Sequence, residues 1–235
     1  MHEFKGGGLM SAKRRQIEPY WAPLPRRNLA PLQTAGIILR HLVPAAGVFV
    51  LDWSAGQFLM LSLFNVCFSI VCIGVVGVLV STRQEAGPSP GAADALALWA
   101  TAILLALAGS ILLTAMFGWV IGVLVASSGG KVFSLGLAGS ALLMVISAAP
   151  ASFRQYKADL AAGLDEEERK RRDQPNVLVL VMMGGLVFIL SGYAGEFGNW
   201  ALYALVIAVT GLFLFGDLRP DLMRELVRPL HASRR

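Results

Sequence analysis

Long apolar runs separated by short polar breaks make up most of the chain from Thr34 onward. A helix rises ~1.5 Å per residue, so an apolar run near 20 residues crosses roughly 30 Å of hydrocarbon. A helix also pairs its own backbone groups, which lipid cannot do. The runs at 35–53, 57–80, 97–122, 133–150, 177–194 and 200–216 predict six transmembrane helices. The third is hardest to bound, because it stays apolar from Ala95 to Ala126. Trp99 and Trp119 lie twenty positions apart, ~30 Å along a helix, which suits one indole at each headgroup level. Trp53, Tyr193, Trp200 and Tyr203 are expected to complete an aromatic belt at the outer ends of the neighbouring spans, unless they are ordinary packed aromatics.

Composition agrees with this pattern. Of 235 residues, 56% are hydrophobic and 15% charged, and the mean hydropathy is +0.64, which excludes one ordinary soluble core. Basic residues then set a direction. They gather before the first span (Lys5, Lys13, Arg14, Arg15, Arg26, Arg27), after the fourth (Arg154, Lys157, Arg169, Lys170, Arg171, Arg172) and in the tail (Arg219, Arg224, Arg228, Arg234, Arg235), with Lys131 alone on the other side. By the positive-inside rule both termini are cytoplasmic, and six spans give the even number this requires. The net charge of +5 lies beside the membrane and does not point to nucleic acid. The expectation is an all-α polytopic protein of a bacterial cytoplasmic (inner) membrane. Its parts are a basic, Pro-containing arm (1–34), a six-helix domain (35–216) with a cytoplasmic loop at 151–176, and a basic tail (217–235). Residues 1–34 contain no early apolar stretch of the signal-peptide kind. The arm reads as an extended segment whose Trp21, Arg26 and Arg27 meet anionic headgroups or pack on cytoplasmic loops.

Two cytoplasmic loops differ. The prolines and glycines of Gly87-Pro88-Ser89-Pro90-Gly91 mark the 81–96 loop as a plain connector. In the 151–176 loop, Phe153, Tyr156, Leu160 and Leu164 recur at helical spacing, predicting a short helix along the membrane that leaves Lys157 and Asp159 wet. Asp165-Glu166-Glu167-Glu168 before Arg169-Lys170-Arg171-Arg172 suits a helix start with i,i+4 pairs. It is read as a solvated charged turn, or else as a docking site for another protein.

Ionisable groups inside the spans are few. Arg40 and His41 lie in the first, with Asp52 at its outer end, and no span carries a carboxylate near its middle. Arg40 can snorkel toward the interface. His41, about 100° round the helix, does not pair with it on one face. Pro44 frees the carbonyl of Arg40 and favours a kink, so Arg40, His41, Pro44 and Asn65 are the candidate polar or lipid-headgroup site. Asn65 is expected to bond to a facing helix. Cys67 and Cys72, at i,i+5, point apart and read as small packing residues.

Gly118, Gly122, Gly136 and Gly139, among 25 glycines, are candidate helix-packing contacts, within the chain or between copies. No catalytic set, metal-ligand set or cofactor motif is present in the sequence. The leading expectation is therefore a non-catalytic accessory subunit, scaffold or assembly factor. Its partners would be anionic membrane lipids and other membrane subunits or copies of itself. A small transporter or channel for a neutral, lipophilic or lipid-like solute is the alternative, and a lipid-modifying enzyme a third.

Overall fold

The computed structural model describes residues 31–85, 92–127, 134–163, 165–193, 199–223 and 225. They form six helices: α1 (Pro31–Leu51), α2 (Ala55–Glu85), α3 (Ala92–Ser127), α4 (Leu135–Ala162), α5 (Glu166–Tyr193) and α6 (Asn199–Leu218), with no strand among the described residues. Five are long and apolar enough to cross a membrane, and the described apolar part of α6, Tyr203–Leu218, is shorter. The chain is a multi-pass helical membrane protein by this measure. The arm at 1–30, the connector tip at 86–91, the outer loops with Lys131 and Glu196, Leu164 and the tail beyond 225 lie outside the described residues.

α2 is the centre of the bundle and packs against all five other helices. It is mostly apolar, and its residues from Phe58 to Phe68 are largely buried, while Val78 near its other end is exposed. α3 is as apolar but mostly faces outward, with Leu104, Ile111, Leu112 and Trp119 exposed. In a membrane, apolarity alone does not separate the two situations. Small and polar residues do: α2 carries Ser62, Asn65, Cys67, Ser69, Cys72, Gly74 and Gly77, which let neighbours approach or bond.

Local chemistry fixes the turns. α1 ends at Asp52, whose φ of 52° reverses the chain, and the Trp53 backbone N–H donates to the Gly47 carbonyl at 3.1 Å. The indole folds onto Gly47 so closely that a side chain there would overlap the ring. Trp53 is thus buried in the core, not placed in an interfacial belt. Ser54 and Gln57 then cap α2 reciprocally: Gln57 N–H donates to Ser54 Oγ at 3.3 Å and Ser54 N–H to Gln57 Oε1 at 3.1 Å. Ser134 caps α4 and Asp165 caps α5, each accepting from the N–H three residues on.

The largest departure from expectation is the 151–176 segment. α4 continues through Pro150 to Ala162 and ends at Gly163 in the left-handed conformation, so there is no separate helix lying along the membrane. The apolar stripe is real, and its Tyr156 and Leu160 face inward while Phe153 stays partly exposed. Tyr156 and Leu160 pack with Val76, Leu79, Val80 and Ala102, and the Trp99 ring meets Phe153 and Tyr156 edge-on, centroids 5.1 Å apart. Trp99 is therefore a clamp between α3 and α4, while Trp119 is exposed as a belt residue would be. Tyr203 stacks on Phe49 at 5.2 Å. The side chains of Tyr193 and Trp200 lie outside those described.

Asp159, expected to be wet, is 1% exposed and accepts a bidentate bond from Arg172 at 2.5 and 2.8 Å. Arg172 also bonds Asp173 at 3.0 Å, and the buried Arg169 crosses to Ser81 of α2 at 2.7 Å. One face of the charged run thus holds the α4–α5 hairpin together. The other face is the solvated ladder expected, with Lys170–Glu166 at 2.5 Å and Arg171–Glu167 at 3.4 Å.

Removing one partner of a buried ion pair strands the other. Asp159→Ala is expected to lower unfolding stability by about 2–4 kcal/mol in a detergent or bicelle unfolding titration, toward the low end because Arg172 is partly exposed. The swapped pair Asp159→Arg with Arg172→Asp should recover part of the loss, and Lys170→Ala should change nothing measurable.

Candidate functional site

The polar centre is assembled by α1 and α6. Asp217, near the end of α6, accepts through the same Oδ2 from the guanidinium of Arg40 and pairs with His41 Nε2 at 2.6 Å. Two side chains about 100° apart on α1 thus converge on a carboxylate that stands between them. Arg40 and His41 do not pair with each other on one face of α1; Asp217 is what joins them. Arg40 is an inward ion-pair partner, its side chain 14% exposed, not a snorkelling anchor. His41 is buried at 4% and lies 6.1 Å, ring to ring, from Phe213. Asp217 was missed because it falls one residue past the apolar run that ends at Gly216. The signal available in the sequence was an acid within a turn of a span, opposite a span bearing two bases.

Above the triad lies a cavity of ≈ 10 Å³ lined by His41, Pro44, Phe58, Ser62, Asn65, Met144, Val209, Thr210 and Phe213. Three of the four sequence-derived candidates, His41, Pro44 and Asn65, meet here, and Arg40 adjoins them through Asp217. Ser62 and Thr210 were not foreseen, since a lone hydroxyl in an apolar helix carries no distinguishing pattern. The cavity is water-sized and holds no room for a lipid headgroup.

A second opening is of another kind. α3 and α4 are clamped at Trp99 and part toward their other ends, leaving a groove of ≈ 540 Å³ with α2 as its floor. Met60, Phe64, Leu107, Ile111, Leu137 and Val145 make it apolar, with Thr114 the lone hydroxyl among its lining side chains. Gly118 is buried against Met60 of α2, so it is a packing contact within the chain, and Gly122 lines the groove. A Cβ on Gly136 would touch the Trp53 ring at 3.6 Å, whereas Gly139 is exposed and meets nothing within 4 Å.

Among the described residues no cluster of three or more His, Cys, Asp or Glu could hold a metal ion. Cys67 and Cys72 are free thiols. No protein-family model, curated protein or solved structure matches the chain.

Asp217 is the counter-charge for Arg40 and a hydrogen-bond partner of His41, so Asp217→Ala is expected to destabilise the protein by about 2–4 kcal/mol, toward the low end because Asp217 is partly exposed. Replacing the pair together, Arg40→Met with Asp217→Leu, should cost far less. Unfolding titrations of both variants in bicelles check this. Equal losses would show that the pairing is not what holds α1 to α6.

Proposed function

We propose that the chain is a six-span protein of a bacterial inner membrane, both termini cytoplasmic, that serves as a non-catalytic accessory or scaffold subunit of a larger membrane complex. The observation that carries this reading is the use made of the buried charges. Arg40 and His41 join Asp217 across α1 and α6, and Arg172 joins Asp159 across α5 and α4. These charges are spent on tying helices together, whereas a catalytic centre aims its acids and bases at a substrate space. The span count and direction rest on the length of α6 and on the basic segments, which would meet anionic lipid on the cytoplasmic side.

The groove between α3 and α4 favours a second reading, a carrier for a lipid-like solute. It follows α3 from Leu107 to Gly122, about 22 Å at the helical rise, and is apolar along that length. An alkyl chain lying along it would keep carbon contacts of ~3.5–4 Å with these side chains.

Mild extraction from the native membrane followed by intact-complex mass spectrometry separates the readings. A stoichiometric protein partner is expected. A lone chain retaining one lipophilic molecule, lost in Ala115→Trp, would instead make the carrier reading correct. For topology, cysteines introduced at positions 131 and 230 should be labelled from opposite sides of sealed vesicles, and labelling of both from one side would refute the arrangement.

A further inference from the structure

Hydroxyls within these helices share a habit. Ser62 donates to the carbonyl of Phe58 at 2.9 Å, Ser69 to Asn65 at 2.8 Å and Thr114 to Ser110 at 2.7 Å. Each bonds back to the preceding turn, which satisfies the donor without any tertiary partner. Ser81, near the end of α2, departs from it. Its Oγ accepts from Arg169 Nη2 at 2.7 Å, and among the described residues its own proton is donated to nothing. Arg169 is 4% exposed, and its Nη1 is buried with no hydrogen-bond partner. The acids of the region do not answer it: Glu166 is held by Lys170, while Asp159 and Asp173 give their oxygens to Arg172. Two donors thus stand side by side without an acceptor, one of them on a cation. That set calls for an anionic oxygen.

The surface of α2 beside them is open. Arg169 lies along the helix where no side chain stops it, since a Cβ on Gly77 would meet its Nε at 3.7 Å. One turn toward the membrane centre, Gly74 is exposed with nothing within 4 Å of a Cβ, and Val78 is 65% exposed. Gly74, Gly77 and Ser81 therefore form a notch, with the guanidinium over its Gly77–Ser81 end. Ser81 is 26 residues from the first residue of α2, about 39 Å, which is beyond the ~30 Å of hydrocarbon and at headgroup level. Gly74 is about 29 Å along the same axis, at the hydrocarbon edge.

A headgroup phosphate is the anionic oxygen found at the first depth, and an acyl chain is the apolar material found at the second. We propose that Arg169 and Ser81 bind the phosphate of one phospholipid, whose chain descends over Gly74 and Val78. The lipid enters at Ser81, which is partly exposed. Ser81 Oγ donates to one phosphate oxygen, and a small turn of the guanidinium carries Nη1 from its covered position to another. Arg169 thereby gains the charged acceptor that the neighbouring acids withhold. Inorganic phosphate offers the same oxygens and no chain, so only a lipid makes use of Gly74.

The test uses the full chain, purified in mild detergent and stripped of lipid. It is titrated separately with phosphatidylglycerol, with diacylglycerol of the same chains and with inorganic phosphate, and bound molecules are counted by intact-protein mass spectrometry. One phosphatidylglycerol is expected to bind more tightly than any that follow. Its affinity should fall about tenfold or more in Ser81→Ala and in Arg169→Gln, each of which removes a hydrogen bond to a charged group. It should also fall in Gly74→Leu, which closes the path of the chain. Gly74→Leu places its side chain in open space and keeps the fold, so it carries the test if Arg169→Gln does not fold. Arg171→Gln, on the solvated ladder, should leave the affinity unchanged. Equal binding of diacylglycerol, an affinity indifferent to the three substitutions, or a site that takes inorganic phosphate as well in Gly74→Leu as in the unaltered chain and holds no lipid would overturn the proposal.

Discussion

A guanidinium and a carboxylate inside an apolar bundle each cost far more alone than together, and the Arg40–Asp217 contact is the form that constraint takes here. It joins the first helix to the last. The chain between them must therefore turn back on itself, with α2 as the axis that both ends can reach. The second pairing, Arg172 with Asp159, does the same for α4 and α5. Hydrophobic burial has little to say about helix order in lipid, because lipid tails are as apolar as a leucine side chain. Polar pairing and close approach at small residues decide which faces meet.

The helices were legible in the sequence because apolar runs near the spanning length stand between polar or helix-breaking pauses. Asp52-Trp53-Ser54 and the 86–91 connector fall where the apolar pattern pauses, whereas Gly163, the observed end of α4, lies thirteen residues past the end expected at 150. The faces were less legible. The stripe Phe153, Tyr156, Leu160 was visible at its helical spacing, yet spacing says which residues share a face and not what that face meets. Trp99 supplied the partner, fifty-odd residues away in sequence, and an interface helix became the end of α4. Asp159 went the same way: a single acid beside a stripe looks solvated until Arg172 folds over it.

The candidate site was legible in its members and not in its arrangement. His41, Pro44 and Asn65 stood out because polar or helix-breaking residues are costly in lipid, and they do share one cavity. Asp217 did not stand out, since a carboxylate past the end of an apolar run is the commonest thing to find there. The tertiary fold gives it significance by bringing it beside a base-bearing turn of α1.

α3, at 36 residues, is about 54 Å long and well beyond the hydrocarbon thickness it crosses. Such a helix adapts to its bilayer by leaning. Trp99 fastens it to α4 near one end, and toward the other Gly118 rests on Met60 of α2 and Ile121 is buried. Held at both ends, α3 takes up its excess length by tilting with the bundle as a whole.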